Sequence, residues 1–199
     1  MSEAVLISIR PEWCEKIASG QKTIEVRKTR PKIETPFKCY IYCTKSGKIL
    51  SRGVEILNGC VIGEFVCDMI VEPDHVQNWV YITEHSSISG PDLYKYCGED
   101  ENGDTKYCFG WRISDLVIYD KPKDIRQFAL VDKKAVKMCP HRVRVGQREA
   151  VTKHNGWIKG SYGCEKEHAW EVAFEYCDSC LWKPLNRPPQ SWCYVEEKQ

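Results

Sequence analysis

The segment from Gly20 to Arg27 places three charged side chains, Lys22, Glu25 and Arg27, within six positions. Polar and apolar residues alternate from Thr23 to Arg27, which predicts a strand with Glu25 and Arg27 on its solvent-facing side and Lys22 at the rim. A guanidinium donates hydrogen bonds in pairs, so Arg27 suits a phosphate or a base edge. Glu25 would hold the two cations in place or accept from a base amino group. A surface ion-pair ladder without a ligand is the alternative.

A second group of chemically capable residues lies in the last third of the chain. Cys177 and Cys180 form a C-x-x-C pair, a spacing that lets two thiolates bind one tetrahedral ion. Cys139, His141 and Cys164 can complete the shell, so we expect a structural zinc held by four of these five residues. The intervening sequence is polar, and a bound metal would explain its order. Free thiols, a redox pair and buried cysteines are the alternatives.

Single cysteines among apolar residues are typical of core packing. They are Cys14, Cys39, Cys43, Cys60, Cys67, Cys97 and Cys108. No basic region followed by an apolar stretch opens the chain, so we expect no signal peptide and a cytoplasmic location. Charges interrupt every apolar run well before about 18 residues, so we expect no membrane span.

Charge and composition narrow the class of protein further. The 22 aromatic residues, with 29 basic against 28 acidic residues, exclude a disordered chain. Residues 1–60 carry 11 Lys and Arg against 6 Asp and Glu, whereas residues 61–138 carry 9 against 14. A basic first third weakly favours a phosphate-bearing ligand, although a solvated charged loop has the same composition.

Periodicity indicates the elements that must position these residues. A helix should begin at Pro11 and close at Gly20, and a weaker helical signal covers residues 92–97. β-Branched and alternating runs predict strands at residues 4–9, 23–27, 37–44, 59–71, 107–113, 116–119 and 192–195. These short strands do not alternate with helices, so we expect an α+β fold in which a small β-barrel is covered by one or two helices.

The pattern Gly-x-Lys-x-x-Glu-x-Arg over residues 20–27 resembles the signature of the ASCH family, a branch of the PUA-like small β-barrels. Residues 7–11, 63–65 and 111–116 also look like that family, and the resemblance spans about residues 4–120. The closing residues 187–192 are similar to the end of phage-associated and bacterial members. We therefore expect a PUA-like barrel in residues 1–125, a zinc-ribbon-like insertion in 126–184 and a return to the barrel in 185–199.

The resemblance implies recognition of RNA or of a nucleotide-containing ligand, with a regulatory role. One branch of the family hydrolyses N4-acetylcytidine, and an amidohydrolase acting on such a nucleoside is the alternative. If this protein is such an enzyme, Lys22 and Glu25 would be its catalytic residues: Lys22 matches the lysine of those enzymes, and Glu25 stands where they have a threonine. The motif does not place their downstream glutamate, for which Glu64 and Glu72 are candidates. Because of these departures from the family pattern, we favour a binding function over a catalytic one. A partner protein contacting the zinc ribbon is a third hypothesis.

Aromatic residues near the expected cleft are candidates for stacking on a base. Tyr40, Tyr42 and Trp111 are more typical of core positions. Trp192 is the strongest candidate because Gln190 and Ser191 beside it offer hydrogen bonds to a base edge. The expected ligand site therefore contains Lys22, Glu25, Arg27, Gln190, Ser191 and Trp192.

Overall fold

The computed structural model describes residues 4–45, 58–99, 101–103, 105–130 and 184–197, together with the backbone of five short strands between residues 143 and 175. The helices are α1 (Pro11–Ala18), α2 (Val76–Ser86) and α3 (Gly90–Cys97). The strands are β1 (Ala4–Ile9), β2 (Ile24–Arg27), β3 (Phe37–Cys43), β4 (Cys60–Cys67), β5 (Ile70–Val71), β6 (Phe109–Arg112), β7 (Ser114–Lys123), β8 (Phe128–Leu130), β9 (Val143–Arg144), β10 (Thr152–His154), β11 (Trp157–Lys159), β12 (Glu165–Lys166), β13 (Phe174–Glu175) and β14 (Trp192–Glu197).

A six-stranded sheet with the order β7-β4-β3-β1-β14-β8 forms the main layer. β1 lies at its centre, parallel to β3 and antiparallel to β14, with Ile7 opposite Trp192. Every residue of β1 is buried, as its largely apolar run predicts for a strand covered on both faces. The predicted closing strand at residues 192–195 is confirmed, and it lies beside the first strand of the chain.

A smaller sheet with the order β2-β6-β5 lies against the main layer. One face packs on the six-stranded sheet through a core that includes Trp111, Phe65 and Ile17 of α1. The other face packs on α2 and α3 through a second core that includes Ile24 and Ile82. The small sheet is therefore an inner layer, covered by a sheet on one side and by two helices on the other.

The predicted closed barrel is wrong for the part of the chain that the structure describes. The mixed α and β content is confirmed, but the strands predicted to form the barrel divide between two sheets that do not join. All four residues of β2 are buried, so this strand needs a covering layer on each face. A closed barrel would place one face outside, whereas the layered arrangement covers both.

Several element boundaries also differ from the sequence-based expectation. The single strand predicted at 59–71 is two strands, β4 and β5, in different sheets. The helical signal expected near residues 92–97 belongs to α3, and α2 precedes it. Cys97 and Cys108, predicted as separate core cysteines, are joined by a disulfide. The two cysteines are 11 positions apart in the chain, so local periodicity does not predict that they lie close together.

The long segment after β8 leaves and re-enters the main sheet at one point. Leu130 pairs with Val195 of β14, and Ala129 forms a bridge to Pro184. The Leu185 N–H donates to the Phe128 carbonyl at 2.8 Å. In the segment between residues 130 and 184, the described strands form a three-stranded sheet, β10-β11-β12, and a two-stranded pair of β13 with β9. Among the described residues, no helix has the length and hydropathy needed to cross a membrane.

Candidate functional site

The turn after α1 delivers Lys22 into the interior. Gly20 has φ +76°, a left-handed conformation that glycine adopts without strain, as the sequence predicted. The Lys22 N–H then donates to the carbonyl of Lys16 at 3.0 Å, which redirects the chain towards β2. As a result the Lys22 side chain is only 2% exposed, and it does not lie at a solvent-facing rim.

Lys22, Glu25 and Arg27 meet in a buried ion-pair network. One Glu25 oxygen lies 3.3 Å from Lys22 Nζ, and the other lies 2.8 Å from Arg27 Nη2. Lys22 Nζ also donates to the carbonyls of Ile24 at 2.8 Å and Ser86 at 2.9 Å. An ammonium has three hydrogens, and these three acceptors account for all of them. Burial lowers the pKa of Lys22, and the neighbouring Glu25 carboxylate opposes that shift.

The solvent-exposed face predicted for this strand is wrong. Glu25 is 6% exposed and Arg27 is 7% exposed. β2 pairs antiparallel with β6, which places Glu25 opposite Trp111 and Arg27 opposite Phe109 on the same face. That face packs towards the six-stranded sheet, so the polar positions of the alternating pattern are covered by tertiary contacts.

Arg27 connects the ion-pair network to the closing segment of the chain. Its Nη2 donates to the carbonyl of Ser8 at 2.6 Å, and its Nη1 donates to Ser191 Oγ at 3.3 Å. Its Nε is buried and has no hydrogen-bond partner among the described residues. The guanidinium is thus held at both terminal nitrogens, and its Nε–H is unused among the described residues.

Ser191 and Trp192 are brought to Arg27 by the pairing of β14 with β1. The Ser8 N–H donates to the Ser191 carbonyl at 2.9 Å, and Ser8 Oγ donates to the Pro189 carbonyl at 2.7 Å. Trp192 is partly buried, and its Nε1 donates to Thr29 Oγ1 at 3.1 Å. The preceding residue, Gln190, is exposed.

The Trp192 ring also packs against other aromatic rings. Its centre lies 5.9 Å from that of Trp111 and 5.5 Å from that of Tyr194. Trp111 is fully buried, and Tyr40 and Tyr42 are buried in a separate core. Of the four aromatic residues considered from the sequence, only Trp192 therefore has an accessible ring surface.

Neither candidate for a catalytic glutamate contacts Lys22. Glu64 lies on the six-stranded sheet, where it pairs with Lys38 at 2.8 Å and accepts a hydrogen bond from Tyr119. Glu72 follows β5 and pairs with Arg30 at 3.0 Å. The structure therefore does not place either carboxylate beside the ammonium.

Sequence reasoning missed Ser8, whose carbonyl accepts from Arg27, and Ser86, whose carbonyl accepts from Lys22. Ser8 is the single polar residue of an apolar strand, and that interruption was the available signal. Ser86 ends α2, 64 positions after Lys22, and it carries no local signal. Backbone acceptors of this kind depend on tertiary placement and not on residue type.

The predicted metal ligands Cys139, His141, Cys164, Cys177 and Cys180 lie outside the described residues. Within the described part of the chain, no cluster of three or more His, Cys, Asp or Glu side chains is arranged to hold a metal ion. A pocket of about 490 Å³ lies between β5 and α2, lined by residues that include Val71, Glu72 and Tyr81. Of the candidate residues that the structure describes, only Glu72 lines this pocket.

Comparisons with known proteins support the resemblance on which these expectations rest. Residues 7–79, which contain Lys22, Glu25 and Arg27, match the model of the ASCH domain. This match leaves the predicted phage-like end at residues 187–192 and the cysteine-rich segment as predictions. No curated protein sequence matches the chain.

Solved structures similar to this chain include ASCH proteins from Zymomonas mobilis. One is the unmodified protein, at 24% identity, with 61% of this chain and 73% of that chain covered and a TM-score of 0.46. A tyrosine-to-phenylalanine variant has 24% identity, coverages of 61% and 76%, and a TM-score of 0.46. A serine-to-alanine variant has 25% identity, coverages of 61% and 73%, and the same TM-score.

Proposed function

We propose that this protein binds RNA or a nucleotide-containing ligand, with a regulatory role, where Arg27, Ser191 and Trp192 meet. The observation that carries the proposal is the fixed guanidinium of Arg27, whose Nη1 donates to Ser191 Oγ beside the partly exposed Trp192. A guanidinium fixed next to partly exposed polar and aromatic groups suits an acceptor supplied by a ligand. A phosphate oxygen or a base carbonyl is such an acceptor.

Lys22 and Glu25 act as positioning residues in this proposal. Glu25 fixes Arg27 through its 2.8 Å contact, and Lys22 fixes Glu25 from the other side. Since the three Lys22 hydrogens already have acceptors, the ammonium supplies positive potential and not a direct ligand contact. The site is therefore organised before the ligand arrives, which lowers the entropy lost on binding.

Ser191, Gln190 and Trp192 supply the remaining recognition groups. The Ser191 hydroxyl lies next to the guanidinium, and Gln190 beside it offers an amide to a base edge. The partly exposed indole of Trp192 offers a face on which a base can stack. An arginine, a hydroxyl and an aromatic ring together suit a nucleotide better than an inorganic anion.

The test is a titration of mononucleotides and of short single-stranded RNA by calorimetry. Ser191→Ala and Trp192→Leu should each weaken binding by about 1–3 kcal/mol, because they remove a polar partner or a stacking surface. Matched controls are Ser19→Ala, whose hydroxyl bonds only an exposed helix end, and Trp79→Leu in the helix-side core. Equal affinities for wild type, Ser191→Ala and Trp192→Leu would overturn the proposal.

An amidohydrolase acting on N4-acetylcytidine is the second candidate, and one observation favours it. Burial lowers the pKa of Lys22, as a lysine that moves a proton requires. Its fully used hydrogen bonds and the absence of Glu64 and Glu72 from its contacts favour binding instead. Incubation with N4-acetylcytidine should give no turnover that depends on Lys22. Product formed by the wild type and abolished in Lys22→Met, if that variant remains folded, would reverse this ranking.

We also propose that four of Cys139, His141, Cys164, Cys177 and Cys180 hold a structural zinc. The support is the sequence spacing, because a C-x-x-C pair with two further Cys or His ligands satisfies a tetrahedral ion. A closed shell of four protein ligands leaves no open position, so this metal would stabilise the segment and take no part in ligand chemistry.

A further inference from the structure

The loop directly after β2 carries cations that the proposed site does not use. Lys28, Arg30 and Lys32 are all exposed, and we call residues 28–32 the basic loop. Lys28 Nζ lies 5.3 Å from the centre of the Tyr96 ring. The Arg30 guanidinium carbon lies 5.8 Å from the centre of the Phe109 ring. Two of the three cations therefore lie over aromatic rings, within the range of a cation–π contact.

The basic loop is fixed beside the Arg27 site by hydrogen bonds to β14. Thr29 Oγ1 accepts from the Trp192 indole at 3.1 Å, and the Lys32 N–H donates to the Tyr194 hydroxyl at 2.6 Å. Trp192 is thus shared between the basic loop and the proposed ligand site. A nucleic-acid strand that extends from that site along β14 reaches the basic loop next.

Two exposed tyrosines lie at the same end of the small sheet. Tyr96 is 39% exposed and Tyr107 is 67% exposed. The Cys97–Cys108 disulfide joins the residues next to them, with its Cα atoms 5.8 Å apart. The covalent bond therefore ties the backbone next to Tyr96 to the backbone next to Tyr107, and Lys28 contacts the Tyr96 ring.

The charges on the basic loop are available to an anionic partner. Arg30 is paired with Glu72 at 3.0 Å, but the two side chains are 54% and 48% exposed. An exposed pair of this kind contributes little free energy, so a phosphate can replace Glu72 as the partner of Arg30. Among the described residues, the Lys28 ammonium contacts the Tyr96 ring, and Lys32 forms its hydrogen bond through the main chain. Neither ammonium forms an ion pair with a described carboxylate.

We propose that the basic loop, with Tyr96 and Tyr107, is a second subsite that binds the nucleotides of single-stranded RNA next to the one held at Arg27. This inference rests on the function proposed above and deepens it. The phosphates would lie on the cations and the bases on the tyrosine rings, which is how single strands are bound without sequence preference. The ligand is therefore a strand of several nucleotides and not a free nucleoside. A duplex is disfavoured, since its bases are stacked inside and unavailable to tyrosines.

The test is fluorescence anisotropy with a labelled 12-nucleotide single-stranded RNA over a series of salt concentrations. For single strands each phosphate contact contributes about 0.7 to the slope of log affinity against log salt. The combined variant Lys28→Gln, Arg30→Gln, Lys32→Gln should therefore lower the slope by about 2. Tyr107→Ala, at a highly exposed position, should weaken binding by about fivefold to a hundredfold without affecting the fold.

Matched controls are available elsewhere on the surface. Arg126→Gln removes another exposed cation that is paired with a carboxylate, Asp124, at 2.7 Å. Tyr94→Ala removes another exposed tyrosine of α3, whose ring packs against Trp79 of α2. Both controls should bind RNA like the wild type, and melting curves should show that every variant is folded.

The outcomes separate this inference from the function on which it rests. A reduced salt slope in the triple variant, with weaker binding by Tyr107→Ala, supports the second subsite. Mononucleotide binding that depends on Ser191 and Trp192, with RNA binding unaffected by the basic-loop and Tyr107 variants, would overturn it and leave the proposed function standing. RNA binding that depends on the loop but not on Ser191 or Trp192 would overturn the Arg27 site and, with it, a subsite for the nucleotides next to it. Equal affinity for duplex RNA, or no affinity for any RNA, would overturn the second subsite.

Discussion

Glu25 is the residue on which the buried network depends. Its two oxygens accept from Lys22 and from Arg27, and all three side chains are more than nine-tenths buried. A buried ion pair adds little net stability, because desolvation offsets attraction, but removing one partner leaves an uncompensated charge in the interior. Here the loss of one carboxylate would leave two cations.

Glu25→Gln should therefore lower the free energy of unfolding by about 3–5 kcal/mol. The substitution keeps the shape of the side chain, so the loss of charge is what is measured. Urea denaturation followed by circular dichroism gives the value. Glu12→Gln is the control, because Glu12 pairs with Arg10 at 4.0 Å on the surface, and we expect a change below about 1 kcal/mol. Similar changes in the free energy of unfolding of the two variants would show that removing the Glu25 charge leaves no costly uncompensated charge in the interior.

At the scale of elements, the close approach of β4 and β7 depends on a glycine. A Cβ built on Gly63 would lie 2.4 Å from the Val117 carbonyl oxygen and 3.1 Å from a methyl carbon of Ile118. The register between the two strands shifts on either side of this position. The bulged pairing brings backbone against backbone, which only a residue without a side chain permits.

Gly63→Ala should destabilise the protein by about 1–3 kcal/mol or force β7 away from β4. Thermal and chemical denaturation measure this change. Gly90→Ala is the matched control, because a Cβ at this first residue of α3 meets nothing within 4 Å. The gain in helix propensity is offset by the following proline, which disfavours a helical residue with a Cβ before it, so Gly90→Ala should change stability by less than about 1 kcal/mol. Equal destabilisation by both substitutions would contradict the close approach.

The connection between β4 and β6 has a pH dependence of its own. Asp68 follows β4 and accepts two hydrogen bonds from Arg112, at 2.7 and 2.6 Å. The Arg112 guanidinium lowers the pKa of Asp68 from 3.8 to about 2. A carboxyl whose folded pKa is depressed contributes stability that is complete above its unfolded pKa and is lost as the pH falls towards the folded value.

Asp68→Asn should therefore reduce stability at pH 7 and weaken the dependence of stability on pH between about 4 and 2. Urea denaturation at intervals across this range measures the slope. Asp115→Asn, at an exposed position on β7, is the control and should keep the slope of the wild type. An unchanged slope in Asp68→Asn would show that the pair does not contribute to folding.

At the scale of the whole molecule, the chain leaves the six-stranded sheet after β8 and returns to it at residue 184. Its two ends are adjacent, since Ala129 bridges Pro184 and Leu185 bonds Phe128. The six-stranded sheet is completed by β14, which returns after this segment and pairs with β1. Segments whose ends are close can be removed with little strain on the rest of the fold.

Replacing residues 132–183 by a short Gly/Ser linker should leave the sheet folded and abolish zinc binding. The intact chain should carry about one zinc, measured by elemental analysis, and Cys177→Ser should release it. Circular dichroism and denaturation show whether the sheets remain. A zinc-free intact chain never exposed to chelator would contradict the metal proposal. A deletion variant that fails to fold would show that the six-stranded sheet cannot form without residues 132–183.

Local patterns determined much of the fold from the sequence alone. The apolar run of β1, the proline that starts α1 and the glycine that ends it depend only on interactions within a few residues. The same is true of the alternation in β2. The grouping of Lys22, Glu25 and Arg27 followed because their separation in the chain is short, so an adjacent turn and strand bring them together.

Tertiary structure decided what surrounds these elements. The alternation of residues in a strand predicts two faces but not whether the polar face is exposed to solvent. Here the six-stranded sheet covers Glu25 and Arg27. The carbonyl of Ser86, the hydroxyl of Ser191 and the partner of Cys97 come from distant parts of the chain. The layered fold replaced the expected barrel because β2 is apolar on one face and holds a self-neutralising ion pair on the other, so both faces can be buried. Periodicity records local geometry, whereas burial depends on which layers the whole chain can pack together.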